Sequence, residues 1–154
     1  MISLRLILLP TDGSSCSQKA LRYAVTLAQH FGAQVLALHI TPGHWEQASF
    51  DVGPDVVQKV QAEQRAEAER IRAEVEVVGQ QAGVPCETQC LSGSAADMIL
   101  QVAKEKAVDL IVMGTHGRSG LRHALLGSVA EKTVQRAPCP VLVVREPEHE
   151  FVTE

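Results

Sequence analysis

Aromatic residues are nearly missing: one Trp, one Tyr and three Phe make up 3% of the 154 residues. A surface that stacks nucleic-acid bases on aromatic rings is therefore not expected. A surplus of positive charge is missing too. Lys and Arg number 14 against 18 Asp and Glu, for a net charge of −4, which argues against a nucleic-acid module and its basic face. The four cysteines, Cys16, Cys86, Cys90 and Cys139, form no C-x-x-C pair, and no Cys/His cluster has zinc spacing. They read as reduced, mostly buried thiols in a reducing compartment, the cytoplasm. No apolar run is long enough to span a membrane. The opening stretch MISLRLILLP is too short for a secretory signal, and Pro10 and Asp12 end it without a small-residue cleavage site.

What is present suits one globular domain. Apolar residues make up 45% of the chain and charged residues 21%, ordinary proportions for a chain that buries a full core without disulfides or metal. The expected domain covers 1–146, followed by a flexible acidic tail at 147–154.

Strand and helix patterns alternate five times. Ile2 to Leu9 reads as the first strand, and Ser15 to Phe31 as a helix with Leu21, Ala24, Val25, Ala28 and Phe31 on one stripe. Ser15 and Gln18 have capping-box spacing, and Gly32 sits where a left-handed cap belongs. Ala33 to Ile40 is the second strand. The 41–55 stretch is long for a loop in a compact domain and has the look of a binding loop or lid. A charged helix from Val56 to about Gln81 follows, with pairs such as Arg65 and Glu69 on a solvated face. Pro85 to Leu91 is the third strand. Ser94 and Asp97 open a helix to about Lys106, Asp109 to Met113 is the fourth strand, Ser128 and Glu131 have capping-box spacing at the start of the last helix, and Pro138 precedes the fifth strand at Val141–Val144.

This is an α/β pattern: a single-domain, open, parallel five-stranded sheet with helices on both faces. Strands buried on both faces read as unbroken apolar runs. The first, second and fourth do so, whereas the third, CETQC, carries polar residues and belongs at an edge. The order 3-2-1-4-5 follows, with a topological switch between strands one and four. Ligands of such sheets bind at the carboxyl ends of the strands beside that switch.

Two unusual segments should meet there. PTDGSS, residues 10–15, follows the first strand, and GTHGRSGLRHALLGS, residues 114–128, follows the fourth. The second has Gly114, two residues, Gly117, nine residues, then Gly127 and Ser128. Glycines let a backbone approach a ligand closely, and successive amides make an anion-binding hollow. The first amides of the following helix are unsatisfied donors at the positive end of its dipole. Ser128 adds a hydroxyl and Arg118 a charged fork. These are the groups that hold a polyphosphate. The spacing is neither a Walker A loop nor the dinucleotide G-x-G-x-x-G. His39 and His44 read as packed or solvated residues rather than metal ligands, and Asp12 in Asp-Gly-Ser also fits ordinary turn chemistry.

The spacing G-x-x-G-x9-G-[ST] resembles the signature of the ATP-binding branch of the universal stress protein family. PTDGSS and VDLIVMGTHGRSGLRHALLGSVAEKTVQRAPCPVLVV resemble that family too, and the likeness spans the chain except the 41–55 loop and the tail. The resemblance implies a Rossmann-like fold of the adenine-nucleotide α-hydrolase kind that binds ATP with Mg or Mn. It places Pro10, Thr11 and Asp12 at the nucleotide, with Asp12 near the ribose and phosphates and a candidate for holding a divalent cation. It places Ile40 at the adenine edge and Met113 near the base. Gly114, Gly117, Arg118, Gly127, Ser128 and Val129 fall on the stretch that wraps ribose and phosphates. It also implies a homodimer through the last strand, Val141, Leu142, Val143 and Val144, which reads independently as an apolar edge inviting a partner.

The function expected is an ATP-binding, stress-response regulatory protein that acts through an unknown protein partner, without nucleic acid or membrane. No dedicated catalytic set stands out, although slow ATP hydrolysis or self-phosphorylation at Ser119 or Ser128 fits the composition of the loop. The alternatives are an adenine-nucleotide enzyme, whose S-G-G-x-D-S or H-x-G-H signatures PTDGSS does not match, and an interaction module without nucleotide. A phospho-receiver domain would want a lysine where Arg145 follows Val144.

Overall fold

The computed structural model describes residues 1–43, 51–116 and 126–146. Five parallel strands form one sheet: β1 Leu6–Pro10, β2 Gln34–Thr41, β3 Cys86–Ser92, β4 Leu110–Gly114 and β5 Val141–Val144. Their order is β3-β2-β1-β4-β5, as expected from the polarity of β3. Helices α1 (Ser15–Phe31), α2 (Pro54–Ala82), α3 (Ala95–Glu105) and α4 (Ser128–Arg136) connect them.

The alternation of side chains along each strand sorts the core into two layers. Ile7, Leu9, Val35, Ala37 and Val112 face α1 and α2, where Ala20, Ala24, Ile71 and Val75 cover them. Leu8, Leu36, Leu38, Ile111 and Met113 face α3 and α4, against Ile99, Val102, Ala103 and Ala130. Both layers close over β1, whose Ile7, Leu8 and Leu9 are fully buried.

Local signals are displaced in four places. β1 begins at Leu6, not Ile2; Met1 and Ile2 are exposed, and pairing with β2 starts at Leu6↔Gln34. An apolar run reveals burial tendency, not where a partner strand begins. Helix α1 is capped by Ser14, not Ser15, because its hydroxyl accepts the Ser17 N–H at 3.3 Å. Ser15 points away and donates to Glu146 at 3.0 Å. Helix α4 has Gly127 as its cap, with Ser128 as the first helical residue. The 41–55 stretch is shorter as a connection than expected, since β2 runs to Thr41 and α2 starts at Pro54; residues 44–50 lie outside the described residues. Gly32 takes the left-handed cap conformation, φ 68° and ψ 33°, as its position suggests.

The lower end of the sheet is fastened by Asp109. Its carboxylate accepts the backbone N–H groups of Arg5 at 2.8 Å and Leu6 at 3.0 Å, while its own N–H donates to the Leu6 carbonyl at 3.0 Å. These two amide donors hold the Asp109 carboxyl below the ordinary aspartate value of 3.8. A lowered acid contributes stability that is full above the unfolded value and is lost as pH falls through the folded one. Replacing Asp109 with Ala should cost about 1 kcal/mol at neutral pH, modest because the site is water-accessible. In denaturant titrations the gap from wild type should narrow as pH drops below about 4, the aspartate range.

Candidate functional site

The ladder between β1 and β4 is short. Ile7 pairs with Leu110 and Leu8 with Ile111, and pairing stops there. On either side, β1 stays paired with β2 to Pro10↔Leu38, and β4 with β5 to Gly114↔Val144. The two central strands therefore part at their carboxyl ends, and a cavity of about 590 Å³ opens between them. That volume is typical for a small-molecule site.

Pro10, Thr11, Asp12, Ile40, Met113, Gly114, Gly127, Ser128 and Val129 all line this cavity. The remaining two candidates, Gly117 and Arg118, lie outside the described residues, as do His44 and Ser119.

One wall is the turn after β1. The Asp12 carboxylate accepts the Ser14 N–H at 2.9 Å, Gly13 sits at φ 75°, and the Thr11 hydroxyl accepts the Gly13 N–H at 3.4 Å. The Thr11 N–H donates to the Leu38 carbonyl at 2.9 Å. This is an Asx-type turn that delivers Ser14 to its capping position. Asp12 thus shapes the turn and also lines the cavity.

The opposite wall is the start of α4. Its first amides, those of Ser128, Val129 and Ala130, have no acceptor within the helix, and the cap residue Gly127 supplies no side-chain bond to them. The helix dipole adds partial positive charge at the same place. This wall suits an anion.

The glycines of the loop have a role in packing. A Cβ on Gly114 would lie 2.6 Å from the Cys16 sulfur and 3.2 Å from the Cys16 carbonyl carbon. A Cβ on Gly127 would lie 2.9 Å from the Thr115 carbonyl oxygen, which accepts the Gly127 N–H at 2.7 Å. Gly127 has φ −69°, so closeness and not backbone conformation demands glycine there. The Gly127 amide is already spent on Thr115, so at the start of α4 the amides open to a ligand are those that follow it.

Other residues complete the lining, among them His116, which the sequence offers as part of a basic loop, and Gln64 and Glu67, which it does not single out. Thr115 and His116 extend β4 into the cavity, with His116 Nδ1 3.1 Å from the Thr115 hydroxyl. Helix α2 contributes Gln64 and Glu67. The inward stripe of α2 runs Val57, Val60, Gln64, Glu67, Ile71, Val75, every position at least partly shielded. Two polar residues interrupting an apolar stripe are the signal that was there to find. At the start of α3, Asp97 pairs with Lys132 of α4 at 2.7 Å, and that ammonium holds the Asp97 carboxyl below its ordinary value. The pair joins the two helices on this face.

Among the described residues, no three His, Cys, Asp or Glu side chains gather as a metal site, and no helix is long and apolar enough to cross a membrane. All four cysteines are free.

Comparison with known proteins follows the same outline. The chain matches the universal stress protein family over residues 4–145. It is 37% identical over 151 residues to a universal stress protein of Methanocaldococcus jannaschii, covering 94% of this chain and 84% of that one. It is 38% identical over 144 residues to a universal stress protein of Bacillus subtilis, covering 90% and 97%. Among solved structures, a universal stress protein from Lactobacillus plantarum superposes with a TM-score of 0.79 at 26% identity, covering 94% of this chain and all of that one. Three more distant ones were solved with cAMP, with dAMP (Archaeoglobus fulgidus) and with AMP (Arabidopsis thaliana). Their TM-scores are 0.69, 0.66 and 0.67 at 24%, 23% and 18% identity; they cover 94%, 94% and 92% of this chain, and 98%, 99% and 91% of their own lengths. At that distance the likeness is one of fold.

The packing of Gly127 yields a prediction that involves no ligand. Gly127→Ala should lower stability by about 1–3 kcal/mol, as overpacking against an immobile carbonyl does. Thermal unfolding of the free protein measures it, and an unchanged midpoint would mean that the Thr115 carbonyl is not where it is placed.

Proposed function

This chain belongs to the universal stress protein family, and we propose that it is a stress-response regulatory protein that binds ATP between β1 and β4. The observation that carries this reading is the pairing of two walls in one cavity: the first amides of α4, which the helix itself cannot pair, on one side and the Asp12 turn on the other. A polyphosphate is the ligand chemistry that α4 asks for, since its oxygens accept what those amides have to give. The apolar lining residues Ile40, Met113 and Ile99 suit the faces of an adenine base. The cAMP, dAMP and AMP in distant family members support an adenine nucleotide as the class of ligand.

Gly117 and Arg118 belong to this reading as residues that wrap the phosphates. A Mg or Mn ion would take Asp12, which lines the cavity, as its protein ligand beside phosphate oxygens. The protein acts as a binder and not as an enzyme: ordering of the loops around nucleotide is the signal, and a protein partner reads it. Free cysteines throughout suit the reducing cytoplasm. At the edge strand β5, Val141, Leu142 and Val143 are half-buried and apolar, which supports a homodimer across that edge.

Ser128→Pro tests the phosphate assignment selectively. Proline is well tolerated as the first residue of a helix, and Gly127 at ψ 162° already has the conformation proline demands of its predecessor. The variant should fold, yet it lacks one amide donor and the hydroxyl. Calorimetry with ATP should show a loss of roughly 1.5–3 kcal/mol, the range for a hydrogen bond to a charged group. Ser128→Ala separates the hydroxyl's share. Unchanged affinity in Ser128→Pro would refute the site. Light scattering after size-exclusion chromatography should give twice the chain mass; a monomer at micromolar concentration would remove the dimer.

A further inference from the structure

We infer that His39 is a positioning residue for the nucleotide site, acting on Asp12 through the Thr11–Asp12 peptide; this rests on the proposed nucleotide reading. His39 follows Val35 and Ala37 on the face of β2 that packs under α1 and α2, where apolar side chains are the rule. It is 5% exposed and lines the cavity. An imidazole in that position has a polar edge to satisfy, and Nδ1 lies 3.1 Å from the Thr11 carbonyl oxygen. A carbonyl can only accept, so Nδ1 carries the proton and donates it. Neutral His39 is then the Nδ1–H tautomer. Its Nε2 is a bare lone pair with no hydrogen-bond partner among the described residues.

The Thr11 carbonyl is half of the peptide plane whose other half is the Asp12 nitrogen. A planar peptide turns as a unit, so the bond from His39 sets the direction from which the chain enters Asp12. The other bonds of Thr11 go through different atoms. The Thr11 N–H belongs to the preceding peptide and goes to Leu38, and the Thr11 hydroxyl donates to Ser17 at 3.2 Å. Downstream, the Asp12 carboxylate holds the Ser14 N–H at 2.9 Å. His39 therefore fixes the approach to a carboxylate that faces the cavity while standing one peptide away from it. Packing alone would be met equally well by Leu or Phe.

The test has two parts on the full chain. In the free protein, nitrogen NMR of the imidazole should show Nδ1 protonated and Nε2 bare, the tautomer that a free imidazole in water disfavours. His39→Phe, which keeps the ring volume, should move the amide resonances of Asp12, Gly13 and Ser14; His39→Asn, whose amide can donate from about the Nδ1 position, should restore them. An Nε2–H tautomer, or unmoved amides in His39→Phe, overturns the inference whether or not nucleotide binds.

ATP calorimetry is the second part. His39→Phe should weaken ATP about tenfold, the size of one ordinary net hydrogen bond, and His39→Asn should recover most of it. In an Asp12→Ala background His39→Phe should cost nothing further, because residues that act through one another are not additive. Equal losses in Phe and Asn, or full additivity with Asp12→Ala, would mean a merely structural histidine. A wild type that fails to bind ATP at all would sink the nucleotide reading, and the resonances of the free protein would still decide the role of His39.

Discussion

The parting of β1 from β4 is the constraint on which the site depends. Right-handed crossovers send α1 and α2 to one face and α3 and α4 to the other, so no connection fills the gap between the two central strands. Two paired positions hold them together at Ile7 and Leu8, and beyond these each strand keeps to its outer neighbour. Most of what faces the cavity is a strand end, a turn leaving one, or the start of a helix, with Gln64 and Glu67 added from the middle of α2. The backbone groups that the sheet no longer pairs and the helix cannot pair are thereby gathered in one place.

The loop glycines show how strand ends and helix starts are brought together around the site. Gly114 lets Cys16, in the first turn of α1, come against β4, and Gly127 lets the start of α4 rest on the Thr115 carbonyl. Thr115 in turn donates its N–H to the Val144 carbonyl at 3.0 Å, and the Cys16 thiol reaches the same oxygen at 3.4 Å. The carboxyl end of β5, the β4 loop, α1 and α4 are thus held together by close contacts, the Cys16 thiol among them. An adjacent anion would find donors already oriented, which lowers the ordering cost of binding.

Much of this was legible in the sequence, for physical reasons that can be named. The polar run CETQC against the apolar runs of β1, β2 and β4 was enough to put β3 at the edge, and the strand order followed from handedness. The glycine spacing and PTDGSS marked the two walls. The first residue of each element was less legible: GSS offers two adjacent caps, and the choice of Ser14 depends on the Asp12 turn, not on spacing. The role of Gly114 and Gly127 in packing could not be read at all, because it depends on Cys16 and on a carbonyl distant in sequence. Gln64 and Glu67 were readable as breaks in an apolar stripe but were hidden inside a strongly charged helix. His39 was seen and set aside as a packed residue; it is packed, and its ring nitrogen also reaches Thr11.

The central claim is that phosphate oxygens rest on the amides opening α4, across from Asp12. A crystal structure of the protein with an adenine nucleotide measures this directly. Phosphate oxygens should lie within hydrogen-bonding distance of the Ser128, Val129 or Ala130 amides, with the base beside Ile40 and Met113. A nucleotide lying in reverse, with its base against α4, or one bound outside the gap between β1 and β4, would contradict it.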